Sequence, residues 1–270
     1  MMQIDFVFID SGTGGIPYML YLAEKYPGYS NMYVADTENF PYGEKTHERI
    51  IETLTSLVEK ILTIVEPKVI VIACNTMSVT ALSALRDRFS VPFVGTVPAV
   101  KLAGKISTNK KIGLLATART VQEPYTDKLI SDFAPDCTVY KRGDAGLVSF
   151  IEHKYPFSTR EERFKALEGA YEFFSSRSID TLILACTHFI HLTKEIQELF
   201  GSGVAVIDSR EGVVKQAVRL IESSGIDRNG TSLHTSSSVF YYTGNKDEKT
   251  IASYSTLMKT LGVSWGGMLS

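Results

Sequence analysis

Two cysteines stand in matching surroundings. The run Val69-Ile70-Val71-Ile72-Ala73 ends in Cys74, followed by Asn75-Thr76, and Thr181-Leu182-Ile183-Leu184-Ala185 ends in Cys186, followed by Thr187-His188. Short apolar runs of this kind are buried strands, so each thiol is delivered at a strand's carboxyl end. Two thiols on opposite sides of one carbon could perform a proton exchange, one removing a proton and the other returning one. Cysteine suits this task because the thiolate forms near neutral pH when polar or cationic neighbours lower its pKa from about 8.5. His188 stands two residues beyond Cys186 and could act as an acid or base, or hold the charge state of that thiol. The third cysteine, Cys137, begins an ordinary strand without polar company and is read as structural.

Further candidates lie at other strand ends. Asp10-Ser11-Gly12-Thr13-Gly14-Gly15 is a glycine-rich turn between strand and helix. Its simplest account is a tight turn with Ser11 capping the helix, but an acid ending a buried strand still needs a partner. A dinucleotide fingerprint would require Gly-x-Gly-x-x-Gly, and Pro17 occupies the third glycine position, although Asp36 follows the second strand. Tyr42-Gly43 sits in a polar loop, which alone reads as a turn. Thr117 follows the strand from Ile112 to Ala116. Glu152 closes an apolar stretch and would be an ordinary solvated acid unless it reaches His188. A zinc hydrolase built on Cys74, Cys186 and His188 is the alternative chemistry. Cys-x-His in one tight turn is a cramped pair of ligands, and no Cys-x-x-Cys supports it. A binding module without catalysis is a third reading, and the intact Asp10, Cys74, Cys186 and His188 set argues against it.

The elements that position these groups alternate strand and helix from end to end. Ile4–Ile9 and Met32–Ala35 read as strands, with a turn and helix over Gly12–Tyr26 between them. From His47 to Val65, apolar residues recur at three- and four-residue steps, an amphipathic helix that Pro67 should end. The Val69 strand and a helix through Phe89 follow. The pattern restarts near Lys110, with strands at Ile112–Ala116, Cys137–Tyr140, Thr181–Ala185 and Val204–Ile207, and helices at Pro124–Phe133, Glu161–Ser175 and Thr193–Phe200. Residues 208–222 look helical, Thr231–Ser238 looks like a connecting loop, and Val239–Thr243 reads as a late strand returning to the first domain. Strand–helix repetition with apolar strands implies parallel, doubly wound sheets. The expected fold is α/β, with two similar domains related by pseudo-twofold symmetry and an active site between them. The first comprises residues 1–97 plus 208–270, and the second residues 98–207. In such sheets ligands bind beyond the carboxyl ends of the strands, where Asp10-Ser11, Cys74-Asn75-Thr76, Thr117 and Cys186-Thr187-His188 all fall.

Composition narrows the function classes. The chain has 270 residues, 44% of them hydrophobic and 21% charged, and a formal net charge of −2. That balance gives no electrostatic case for nucleic acid or an anionic membrane. The first residues carry acids where a secretory signal is basic, the apolar runs are too short to span a bilayer, and three cysteines without pairing suit a reducing compartment. A cytoplasmic location is expected.

Taken together, these motifs resemble the glutamate racemases, cofactor-independent enzymes of bacterial cell-wall synthesis. The resemblance rests on Phe8-Ile9-Asp10-Ser11-Gly12 with Gly14-Gly15, Asp36-Thr37, Pro41-Tyr42-Gly43, Ile72-Ala73-Cys74-Asn75-Thr76, Gly113-Leu114-Leu115-Ala116-Thr117 with Thr120-Val121, and Leu182 through His188. Cys-Thr-Glu in place of Cys-Thr-His would have pointed to aspartate racemases. Departures are Phe189-Ile190, where the family usually has Tyr-Pro, and Met77, where it usually has Ala. The resemblance implies a two-base racemase of L- and D-glutamate that supplies D-glutamate for peptidoglycan, with no cofactor and no metal, and a homodimer. It implies Cys74 as base toward D-glutamate, assisted by Asp10. It implies Cys186 as base toward L-glutamate, assisted by His188 and Glu152. Ser11, Tyr42, Gly43, Asn75, Thr76, Thr117, Thr120 and Thr187, with Asp10 and His188, would hold the substrate. Racemisation of aspartate or another amino acid is the near alternative.

Overall fold

β-Branched, apolar runs form the central strands, and each is followed by a segment of helical periodicity. The computed structural model describes residues 2–223 and 238–269, so residues 231–237 of the expected Ser/Thr-rich loop lie outside the described residues. The chain divides into two compact units, Met1–Thr96 with Arg210–Ser270, and Val97–Ser209.

The first unit carries a six-stranded parallel sheet. Its strands are β1 (Met2–Asp10), β2 (Asn31–Ala35), β3 (Val65–Ile72), β4 (Phe93–Gly95), β9 (Ser238–Tyr242) and β10 (Ser264–Met268), in the order β10-β9-β2-β1-β3-β4. Helices α1 (Ile16–Lys25), α2 (His47–Ile64), α3 (Asn75–Arg88), α10 (Arg210–Ser223) and α11 (Glu248–Thr260) complete it. One core cluster joins Val7, Ile9, Val34, Ile70, Ile72 and Cys74 to Leu54, Val58 and Ile61 of α2 and to Met77, Ala81 and Leu85 of α3.

The second unit holds a four-stranded parallel sheet, β6 (Thr138–Gly143), β5 (Lys111–Ala116), β7 (Thr181–Leu184) and β8 (Ala205–Ile207) in that order. Helices α4 (Val100–Ile106), α5 (Ala118–Gln122), α6 (Pro124–Phe133), α7 (Ala145–His153), α8 (Arg160–Ser175) and α9 (Thr193–Phe200) accompany it. Thr159 and Glu162 form a capping box at the start of α8.

The helix ends ahead of Pro67, as expected, but the proline itself lies within a strand. Helix α2 ends at Ile64, and Pro67 lies inside β3, opposite Ile4 of β1. It is tolerated because β4 pairs with β3 only from Ile70 onward, so no ladder hydrogen bond is lost on that side. Cys137 precedes β6 rather than beginning it. The late strand does return to the first unit, where β9 pairs with β2.

Candidate active site

In the first unit β1 and β3 lie side by side, with Ile9 opposite Ile72. The Ala73 N–H donates to the Ile9 carbonyl at 2.7 Å, so Asp10 and Cys74 leave adjacent strand ends. Asp10 is fully buried. Its Oδ1 accepts the Gly12 N–H at 2.8 Å and lies 3.5 Å from the Ser11 hydroxyl that donates to it. Ser11 does not cap the helix: Gly15 holds that position, without a side-chain cap. A Cβ on Gly15 would sit 2.6 Å from the Ala73 carbonyl oxygen. The glycine-rich turn therefore presses on the backbone that carries Cys74, and close approach explains this glycine.

Cys74 is buried and extended (φ −133°, ψ 123°) at the N-cap of the 14-residue α3. The partial positive charge of that helix end favours a thiolate over a thiol. Asn75 follows in the first turn, buried, and neither its amide oxygen nor its amide nitrogen has a hydrogen-bond partner among the described residues. A buried amide of this kind is costly unless something meets it, so Asn75 is suited to meet a ligand. Thr76 is buried beside it.

Tyr42 and Gly43 belong to a short 3₁₀ turn, Tyr42–Glu44. The Tyr42 ring is buried in the same cluster as Cys74, and its hydroxyl donates a hydrogen bond to Asp36 Oδ2. Burial, then the charges of Asp36 and Cys74, push the Tyr42 phenol well above its ordinary range, so it stays a neutral donor. Asp36 also accepts from Asn39 Nδ2 at 3.1 Å and from Thr243 Oγ1 at 2.6 Å. The sequence marks Asp36 as an acid following a strand and, with Thr37, as part of the family resemblance, but it assigns no role to Asp36 or Thr243. No local pattern could have joined residues 207 positions apart.

In the second unit β5 and β7 are neighbours, and the Ala185 N–H donates to the Leu115 carbonyl at 2.8 Å. Thr117 and Cys186 thus leave adjacent strand ends. Thr117 caps α5: its Oγ1 accepts the Thr120 N–H at 3.2 Å, and its hydroxyl donates to Thr120 Oγ1 at 3.1 Å. Cys186 is buried ahead of a 3₁₀ turn, Thr187–Leu192, in which Thr187 and His188 are also buried. The Cys186 Sγ lies 3.9 Å from His188 Nδ1, and His188 Nε2 lies 3.0 Å from Glu152 Oε2 on α7. Glu152, which mattered only if it reached His188, does reach it. Burial works to strip the proton from this ring. The hydrogen bonds and charges of Cys186 and Glu152 outweigh burial and hold the His188 pKa well above its ordinary 6.5. The ring thus lies buried between the Cys186 sulfur and the Glu152 carboxylate, in surroundings that favour its protonated form. Phe189 and Ile190 are buried in the same turn, and Met77 packs in the core cluster that contains Cys74.

The residues do not fit a zinc centre. Among the described residues no group of three or more His, Cys, Asp or Glu is arranged to hold a metal ion. No helix among them is long and apolar enough to cross a membrane.

Comparison with known proteins gives a consistent result. The family profile described as Asp/Glu/Hydantoin racemase matches residues 19–217. A glutamate racemase from Treponema pallidum is 38% identical over 267 residues, 99% of this chain and 97% of that protein. A glutamate racemase from Shewanella loihica is 36% identical over 240 residues, 88% and 90% of the two chains. Among solved structures, the Escherichia coli glutamate racemase in complex with L-glutamate and the activator UDP-MurNAc-ala matches with a TM-score of 0.87 at 28% identity, covering 99% of this chain and 98% of that one. With a profile match over most of its length and relatives this similar from end to end, the chain belongs to the Asp/Glu/hydantoin racemase family.

Proposed function

We propose that this protein is a glutamate racemase that interconverts the L- and D-enantiomers without a cofactor. The observation that carries the reading is the buried line Cys186–His188–Glu152 at one strand end, matched within the other unit by a second buried strand-end thiol, Cys74, that has Asp10 on the adjoining strand. The α-carbon proton of an amino acid is a very weak acid, so the enzyme must supply placed bases and dipoles for the developing charge. In the proposed reaction the Cys186 thiolate takes the α-proton of L-glutamate, and the Cys74 thiol donates its own proton to the opposite face. The product is D-glutamate, with Cys186 left as thiol and Cys74 as thiolate, the state that works in reverse. Asp10 assists Cys74, and His188, held by Glu152, assists Cys186. Asn75 and the polar and backbone groups of Ser11, Tyr42, Gly43, Thr76, Thr117, Thr120 and Thr187 are assigned to the substrate's ammonium and carboxylate groups.

The biological role we infer is supply of D-glutamate for peptidoglycan in the cytoplasm, by a homodimer. The test is polarimetric. Purified protein should interconvert D- and L-glutamate at once, without added cofactor and with chelator present, and act poorly on aspartate. Preference for aspartate would replace glutamate as substrate, and loss of activity on chelation would overturn the metal-free reading. Cys74→Ser and Cys186→Ser should each abolish racemisation with the circular dichroism of the fold unchanged, and full activity in either would refute the two-base scheme.

A further inference from the structure

The residue that follows β9 places a hydroxyl on the loop that carries Tyr42. Beyond β9, the Thr243 hydroxyl donates to Asp36 Oδ1 at 2.6 Å, and the Glu38 N–H donates to the Thr243 Oγ1 at 3.1 Å. The Thr37 hydroxyl donates to the Thr243 carbonyl at 2.7 Å, and Lys246 Nζ donates to the Thr37 carbonyl at 2.8 Å. Gly244 follows with φ +71°, where a Cβ would sit 2.8 Å from Glu38 Cβ, so the tail lies tightly against residues 37 and 38. On its other carboxylate oxygen Asp36 receives the Tyr42 hydroxyl. Asp36, Thr37 and Thr243 are all buried. The chain of bonds thus runs from the end of β9 through one carboxylate to the ring beside Cys74.

We propose that Thr243 is a positioning residue for the Cys74 half of the reaction, fixing Tyr42 through Asp36. This rests on the racemase reading above. Asp36 is a buried acceptor whose two oxygens point to different elements. Asn39 Nδ2 bridges both oxygens at 3.2 and 3.1 Å, and the shorter bond to Oδ1, 2.6 Å, comes from the tail, which helps to set the turn in which Tyr42 and Gly43 lie. Without the Thr243 hydroxyl, Asp36 Oδ1 keeps only the longer bond from Asn39 Nδ2 at 3.2 Å, and the Tyr42 ring is held less firmly against Cys74.

The experiment compares the full-length protein with Thr243→Val, which keeps the shape and removes the hydroxyl, and Thr243→Ser, which restores it. Racemisation by the unsubstituted protein is the control: if it is missing, the functional reading fails, whatever the variants do. Given that control, Thr243→Val should lower kcat/KM by about tenfold, the scale for a lost bond to a buried charge. The loss must be equal in the two directions, because racemisation has an equilibrium constant of unity. The diagnostic readout is the primary isotope effect with substrates deuterated at the α-carbon. Raising the barrier of the Cys74 step alone should increase the effect on D-glutamate and decrease it on L-glutamate. Thr243→Ser should restore both toward the original values. An activity loss with both isotope effects unchanged, or no loss at all, overturns the proposal. Thr37→Val, which releases the Thr243 carbonyl without touching Asp36, should give the same shift of isotope effects more weakly. If Thr243→Val does not fold, the outcome with Thr37→Val decides.

Discussion

The His188 pKa is raised because the hydrogen bonds and charges of Cys186 and Glu152 outweigh the cost of burying a charge. Folding raises its pKa, so its contribution to stability is complete below pH 6.5 and is lost as pH rises through the higher folded value. The same proton supports the proposed Cys186 thiolate. Replacing Glu152 by Gln removes the negative partner of Nε2 and lets the ring lose its proton at lower pH. The alkaline limb of kcat/KM against pH should therefore move to lower pH in Glu152→Gln, and an unmoved limb would show that Glu152 does not hold the proton. His188→Asn removes the ring altogether. It should lower kcat/KM by roughly 10²- to 10⁴-fold, the usual range for a lost acid–base group, and raise the isotope effect on L-glutamate, opposite to the Thr243 variant. Steady-state rates with both deuterated enantiomers measure this. The asymmetry between the thiols is thus a chemical one: a helix N-terminus and a carboxylate-bearing strand for Cys74, a buried histidine for Cys186.

Elements hold these groups by backbone approach as much as by side chains. Gly15→Ala would drive a methyl group into the Ala73 carbonyl, next to Cys74, and backbone there cannot step aside cheaply. Overpacking of this kind costs about 1–3 kcal/mol, so urea unfolding should show that loss together with a fall in kcat. Gly146→Ala in α7, where the nearest side-chain atom to a new Cβ is 3.6 Å away, should be neutral or stabilising by up to about 1 kcal/mol. Equal effects at the two positions would undo this account. The strands that deliver chemistry were legible in the sequence because long apolar runs ending in polar residues have no other good solution: β1, β3, β5 and β7 all lie where periodicity put them. Two strands of the first unit, β4 and β10, were not legible. β4 is only Phe93–Gly95, and β10, Ser-Trp-Gly-Gly-Met, lacks any strand pattern and is fixed by stacking of Trp265 on Phe240 and Tyr242. Pro67 marked the end of α2 but hid the start of β3, because a proline reads as a breaker, whereas a half-paired strand can hold it. The site was legible as motifs, while the Asp36–Thr243 bond joins distant parts of the chain and leaves no local signature.

At the scale of the molecule, the first unit is discontinuous: the chain leaves it after Thr96 and re-enters at Arg210. Its sheet is therefore incomplete until the last residues have been added. β9 lies between β2 and β10, and Phe240 stacks on Tyr33 of β2. Phe240, Tyr242, Tyr254, Met258 and Leu269 are all buried. Burying a large apolar side chain contributes about 1.5–3 kcal/mol, and whole domains are stable by only about 5–15 kcal/mol. Losing these five side chains, together with the β2–β9 ladder, exceeds what the first unit can lose and still fold. The second unit buries Val100, Ile112, Leu114, Ala116 and Ile183 in a cluster drawn from residues 97–209. A chain ending at Ser237 should therefore lose the near-ultraviolet dichroism of the first unit's aromatic residues and aggregate through the exposed edge of β2. Limited proteolysis should then leave a resistant fragment close to residues 97–209. A soluble truncated chain with a single cooperative unfolding transition and intact racemisation would show that β9, Thr243 and β10 are dispensable. Such a result would remove both the packing role of the C-terminal segment and the positioning role of Thr243.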